Sequence, residues 1–359
     1  MVIPTKPPAN HFVAAMRKIY NPIGFSHWYN FFFFVLFTSP LTAFCALSMR
    51  KIDVDNSVCG KGGSAPGDCY YYSAGLPRIG MYMHLAGVLP ASVLACFQFV
   101  PVIRHKFILF HRISGYIVLI SSAIGAVGGL LIARNAFGGG LDVQSASGAI
   151  FILFFGALIM AYINIKRLQI DQHRAWMLRA WFCGGTILMA RLLDYLVADI
   201  ISQIGGYHSA RPCGWLKFTI GDADRLLRLY PDCSTWLNGK NPDQMAVVRA
   251  DSRNPTSAAE AVVAHHLPFG MSIWLGLFIS GVVIEIYLHL TPKEAERLRM
   301  VSYQRQLAAG VRHPGSTGLT SDRLGDADQW YPRNIEQCAM SGDGNSNKEQ
   351  PTASASAST

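Results

Sequence analysis

Six apolar blocks of 16 to 24 residues constrain this chain more than any other feature. They are Phe31–Leu47, Met81–Val102, Ile113–Ala133, Ile150–Ile165, Trp181–Ile204 and Phe269–Leu288. Each is near the length of about 20 residues that a helix needs to cross a bilayer. Only 15% of the residues are charged and 51% are hydrophobic, well short of the roughly one-quarter charged content of an ordinary globular domain. A soluble enzyme, a nucleic-acid module and a disordered scaffold are excluded. The expected fold is an all-α integral membrane bundle of about six transmembrane helices.

The opening MVIPTKPPANHF lacks the charged, apolar, small-residue order of a cleavable signal peptide, so the first span is expected to serve as the anchor. Six spans put both termini on one side, and the positive-inside rule selects the cytoplasm. Lys6, Arg17, Lys18, Arg104, Lys106, Arg112, Lys166, Arg167, Arg174 and Arg179 fall on that side, followed by a basic run from Lys293 to Arg312. Arg50 and Lys51, at the exit of the first span, disagree. The cysteines agree with the majority. Cys59 and Cys69 lie in the first outer loop, Cys213 and Cys233 lie in the long one, and the inner loops hold none. Lumenal disulfides are expected, in a pairing that spacing leaves open. The expected membrane is the endoplasmic reticulum.

Residues 1–28 then form a cytoplasmic segment, 29–290 the transmembrane domain, and 291–359 a cytoplasmic tail that is basic and, after Arg312, disordered to its end in PTASASAST. Segment 205–268 contains Trp215, Leu216, Phe218, Leu226, Leu227 and Trp236. It is too apolar for a linker and reads as a lumenal cap. Gly125 and Gly129 form a small-xxx-small pair, a signal for close helix packing. The net charge of +9 lies mostly at inner-face segments and marks topology and anionic-lipid contact, with no nucleic-acid partner.

Ionisable side chains inside a span are costly and are the default functional candidates. The fifth span carries Arg191, Asp194 and Asp199 in ARLLDYLVADII. If the helix enters near Ala180, Arg191 lies about 16 Å deep, where an unpaired arginine costs at least about 2.5–3.5 kcal/mol. Asp194, three residues on, is expected to pair with it. Asp199 is about 140° around the helix from Asp194, so the two acids do not share a site. In a structural role, Arg191–Asp194 fixes helix packing and Asp199 sits near lumenal water. In a chemical role, Asp194 or Asp199 faces an apolar cavity and acts as an acid. His84, Gln98 and Tyr195 are candidates for orienting a substrate, and Pro90 is expected to kink the second span and open space beside His84.

Haem b is an alternative, since bis-histidine ligation needs two histidines from facing helices at one depth. His84 with His265 or His266 would form an outer pair, and His111 with His173 an inner pair. His111 and His173 are each followed by arginine at a loop–helix junction, which suits head-group contact as well. There is no CxxCH, zinc-type spacing, P-loop or GxSxG, and no metal site is expected.

HLAG at His84–Gly87, FQFVP at Phe97–Pro101, HRISGY at His111–Tyr116, HRAWMLRAW at His173–Trp181 and ARLL at Ala190–Leu193 together resemble a family of predicted membrane proteins, a domain of unknown function widespread in bacteria and fungi. That resemblance covers about a third of the chain and implies no activity. By overall plan, the chain also resembles the fungal membrane-bound terpene cyclases that close the prenyl chains of meroterpenoids. This second resemblance implies that an epoxide or terminal alkene is protonated without aspartate-rich metal motifs, and it assigns no residue.

The leading reading is an intramembrane isomerase, a terpene cyclase of secondary metabolism acting on a hydrophobic prenylated substrate with no cofactor. Asp194 or Asp199 would be the acid, Arg191 would position it, and His84, Gln98 or Tyr195 would contact the substrate. The second reading is a haem b electron-transfer protein or oxidoreductase using His84, His111, His173 and His265 or His266. The third is a non-catalytic transporter or assembly factor in which the buried charges hold helices together.

Overall fold

A computed structural model describes residues 10–25, 27–59 and 67–332 of the protein. The expected disorder of the PTASASAST end and the character of the first nine residues lie outside the described residues. Chain contacts divide the molecule into two compact units, 1–156 with 179–286, and 157–178 with 287–359.

The first unit begins with a short helix, α1 (His11–Tyr20), capped by the Asn10 side chain on the Val13 N–H. Then come α2 (Trp28–Ser48), α3 (Gly75–Gln98), α4 (Ile108–Ile132) and α5 (Leu141–Lys166), whose last turns enter the second unit. Helix α6 (Ile170–Gly184) ends at a Gly184–Gly185 pair, and α7 (Thr186–Ile204) follows. The expected fifth span, Trp181–Ile204, is therefore broken near its start, where two consecutive glycines weaken the helix. Helix α8 (Ala258–Leu290) is the longest, and α9 (Pro292–Ala308) lies in the second unit.

The chain is an all-α membrane bundle. Among the described residues, α2, α3, α4, α5 and α8 are long and apolar enough to span a membrane. Helix α7 is the expected remaining span. It has 19 residues and carries Arg191, Asp194 and Asp199.

Helices α3 and α4 meet through glycine. A Cβ on Gly87 would stand 2.5 Å from the Gly125 nitrogen and 2.6 Å from the Ser121 carbonyl oxygen, and one on Gly128 would stand 2.5 Å from the His84 nitrogen. Only residues without a side chain let two backbones approach this closely. Helix α3 runs unbroken through Pro90.

The segment after α7 folds into a small cap. Strands β1 (His208–Pro212) and β2 (Met245–Arg249) pair antiparallel, His208 opposite Arg249 and Pro212 opposite Met245. Alternation along β2 turns Ala246 and Val248 inward. They join Trp215, Leu216, Leu226 and Tyr230, together with Ile201 of α7 and Val263 of α8, in one apolar core. Disulfides close the Cys59–Cys69 and Cys213–Cys233 loops, which settles the pairing. Cys45, Cys96 and Cys183 are buried free thiols. The cap ends sooner than 268, because α8 begins at Ala258. There the Thr256 N–H and hydroxyl both donate to the Glu260 carboxylate at 2.8 Å. Asp251, in the preceding turn, accepts from the Asn254 and Arg253 N–H groups at 2.9 Å. Those bonds, that of Asn254 foremost, with Arg249 nearby, hold its carboxyl below the ordinary value.

The second unit corrects the expectation of disorder directly after Arg312. Residues 313–332 are described and are tied to buried amides. The Gln169 side chain accepts from the Gly318 N–H and the Gln306 amide, both at 3.1 Å, and donates to the Gly315 carbonyl at 3.1 Å. The Asn164 carbonyl oxygen accepts from the Leu319 N–H at 2.8 Å. Asp322 pairs with Arg299 at 2.7 Å and also accepts from Ser316 and the Trp330 N–H. Burial by itself would raise the Asp322 carboxyl, but these hydrogen bonds outweigh it and hold the group well below the usual carboxylate range.

Candidate active site at the cap end of the bundle

Helix α7 carries Asp194 about halfway along its length, ten residues and about 15 Å from its cap end at 1.5 Å per residue. Its side chain is only 1% exposed. Helix α8 supplies His265, whose Nδ1 faces Asp194 Oδ2 at 3.3 Å. The other carboxylate oxygen, Oδ1, is buried without a hydrogen-bond partner among the described residues. The two helices approach closely because a Cβ on Gly276 of α8 would sit 3.2 Å from the Ala190 nitrogen of α7.

Arg191 does not form the expected ion pair with Asp194. Its guanidinium lies over two aromatic faces, 4.3 Å from the ring centroid of Phe137 and 4.9 Å from that of Phe269. The negative faces of the rings stabilise the cation there, which leaves the second oxygen of Asp194 uncommitted. Phe137 and Phe269 stack with centroids 3.6 Å apart. Phe137 holds the left-handed conformation, φ 48° and ψ 44°, a conformation rare and strained for a bulky residue. The surrounding packing of Val143, Ala146, Ala190 and Ile273 keeps it in place.

Phe137 also meets His266 edge-on at 5.7 Å. His266 is 8% exposed and directs Nε2 toward Asp68 Oδ1 at 3.6 Å. Beyond it, Trp215 lies 6.4 Å from the His266 ring and 5.7 Å under the guanidinium of Arg211. Burial pulls the Arg211 guanidinium below its ordinary value. The cap end of the bundle thus gathers Asp68, Phe137, Arg191, Asp194, Arg211 and the two adjacent histidines.

The other expected site residues stand elsewhere. Asp199 is not a buried acid: 46% of its side chain is exposed, and Arg253 grips it at 2.6 and 2.8 Å. Tyr195 is 64% exposed and touches the site only through an edge contact with His265 at 5.1 Å. His84 Nδ1 bonds the Gly125 carbonyl at 2.9 Å, and Gln98 donates to Ser114 at 2.6 Å. Both therefore work in the α3–α4 contact. In the second unit, His173 Nδ1 bonds the Ala161 carbonyl at 2.9 Å. His111 sits in the first turn of α4, its N–H on the Phe107 carbonyl. His265 and His266 lie within α8. Among the described residues, no three His, Cys, Asp or Glu side chains gather as a metal site.

Asp68, Phe137, Phe269 and Arg211 were not candidates in the sequence. Their only signal was position in or beside the outer loops, since the pairing runs between elements far apart in the chain.

Residues 81–211 match a family of predicted membrane proteins, DUF2306. The match runs from within α3 to within β1, so it includes Arg191, Asp194 and Arg211 and stops short of His265 and His266. The chain is also 24% identical over 324 residues to Ava biosynthesis cluster protein G of Aspergillus versicolor, an alignment covering 76% of this chain and 92% of that protein. No solved structure matches the chain.

Proposed function

We propose that this protein is a membrane-embedded isomerase of secondary metabolism that cyclises a hydrophobic prenylated intermediate by protonation, with Asp194 as the acid. The observation that carries this reading is the Asp194–His265 pair, in which one buried carboxyl oxygen is anchored and the other has no partner. Such an oxygen can carry a proton toward a substrate. The resemblance to a protein of a fungal biosynthesis cluster supports the same setting.

In this mechanism the Asp194 carboxyl gives its proton to an epoxide oxygen or a terminal alkene carbon. The electrons of a neighbouring double bond close the ring, and the final cation loses a proton from an adjacent carbon to the Asp194 carboxylate. The product is an isomer of the substrate. His265 holds the carboxyl in orientation. The bundle excludes water that would trap the cation. The membrane assigned in this reading is the endoplasmic reticulum, with both termini cytoplasmic and both disulfides lumenal, in accord with the distribution of Lys and Arg.

Microsomes bearing the protein, incubated with prenylated phenol epoxides, test the reading. The expected result is a product of unchanged mass from the wild type and from Asp199→Asn, and none from Asp194→Asn. Full turnover by Asp194→Asn removes the mechanism.

Haem b is the second reading. One observation favours it: His84 and His173 each bond a backbone carbonyl through Nδ1, leaving Nε2 as the nitrogen that a ligating histidine offers. A reduced-minus-oxidised absorption spectrum of the purified protein decides between the two readings.

A further inference from the structure

Arg211 stands in β1 of the cap and is 8% exposed. Its Nε is buried without a hydrogen-bond partner, and no carboxylate lies within ion-pair distance of it among the described residues. Nearby Asp68 is directed to His266 instead. A buried cation without a counter-charge is a costly arrangement, and the cost ends when an anion arrives. A guanidinium offers five donors in a planar fork that pairs with carboxylate or phosphate through two parallel hydrogen bonds.

The position of Arg211 relates it to the acid. A Cβ on Gly138 would run into the Arg211 guanidinium, so that glycine gives the fork its place. The preceding residue, Phe137, is the ring that lies under Arg191, one turn from Asp194. Phe137 and Gly138, adjacent in one turn, thus touch Arg191 beside the acid and the Arg211 fork respectively.

We propose that Arg211 binds an oxyanion head group, carboxylate or phosphate, on the apolar molecule whose prenyl chain occupies the Asp194 site. The preferred substrate is then a prenylated acid, with a neutral prenylated phenol a poorer one. This rests on the reading that the site takes a prenylated substrate, and its test does not require turnover.

Equilibrium dialysis of the full chain in detergent would compare a farnesylated benzoic acid, its methyl ester and farnesyl phosphate. The wild type is expected to bind one or both anions at least tenfold more tightly than the ester, and the tighter anion identifies the head group. Arg211→Gln should erase that preference, Arg211→Lys should keep part of it, and Asp194→Asn should keep it whole. Equal binding of acids and ester by the wild type overturns the proposal, as does a preference that survives Arg211→Gln or disappears in Asp194→Asn. The wild-type comparison stands even if Arg211→Gln fails to fold. A retained acid preference in a protein that turns over no prenylated epoxide would sink the cyclase reading alone.

Discussion

Replacing Asp194 by asparagine separates a residue kept for chemistry from one kept for stability. If the Asp194–His265 contact were a structural ion pair, removing one partner would cost about 3–5 kcal/mol. The geometry points the other way. The 3.3 Å contact is a long hydrogen bond, just beyond the roughly 2.7–3.2 Å usual range, enough to orient the carboxyl but weak as an ion pair, and the second oxygen is buried without a partner. An unmet buried polar group costs about 1–3 kcal/mol, and the native fold already bears it. Asparagine keeps the shape and leaves one buried polar atom unmet, as the protonated carboxyl does. The expected change is thus within about 1 kcal/mol, and the midpoint should move by no more than about 2–4 °C. Turnover of a prenylated epoxide should fall by about 10²–10⁴-fold, the usual worth of a general acid. Thermal unfolding followed by tryptophan fluorescence in one detergent, with the turnover assay beside it, reads both. A midpoint lowered by about 6 °C or more, the scale of a lost ion pair, refutes the reasoning.

Three further outcomes follow from the packing. Gly87→Leu places atoms 2.5 Å from the α4 backbone and should destabilise by about 3 kcal/mol, whereas Gly148→Leu, with nothing within 4 Å of its Cβ, should be tolerated; midpoints of the two variants check this. Reducing the Cys213–Cys233 bridge, 20 residues apart, should cost about 3 kcal/mol, seen as protease cleavage within the cap under reducing conditions. Asp322 has a lowered carboxyl in the folded state, so its stabilising contribution is complete above about pH 4 and is lost as pH falls through the lowered value. Asp322→Asn should therefore loosen the 299–330 region by about 2 kcal/mol at pH 7 and flatten its response to acid, measured by hydrogen exchange at pH 7 and pH 3.

Hydropathy made the long helices legible because lipid demands a continuous apolar stretch, and Gly125 announced the close α3–α4 contact by its size alone. The arrangement around Asp194 was not legible. Arg191 and Asp194 are three residues apart and so were expected to pair, but Phe137 and Phe269 offered the guanidinium aromatic faces from other parts of the chain. His265 lies 71 positions from Asp194, and spacing along a sequence says nothing about a neighbour on another helix. The 313–332 segment misled for a similar reason. Its Gly, Ser and Asp content suggested disorder, yet its backbone amides are satisfied by Gln169 and Asn164, about 150 residues earlier. Composition counts polar groups and cannot count their distant partners.

The α3–α4 contact has a consequence for how this protein changes over generations. Where two side chains meet, a substitution in one is often repaired by a second in the other. At Gly87 and Gly128 the obstacle to a larger residue is main chain, and no mutation removes a backbone nitrogen or carbonyl. A lineage can therefore enlarge neither position without moving a whole helix. New specificity in such a bundle must arise instead from positions facing away from that seam, among them the turn at Phe137 and the cap.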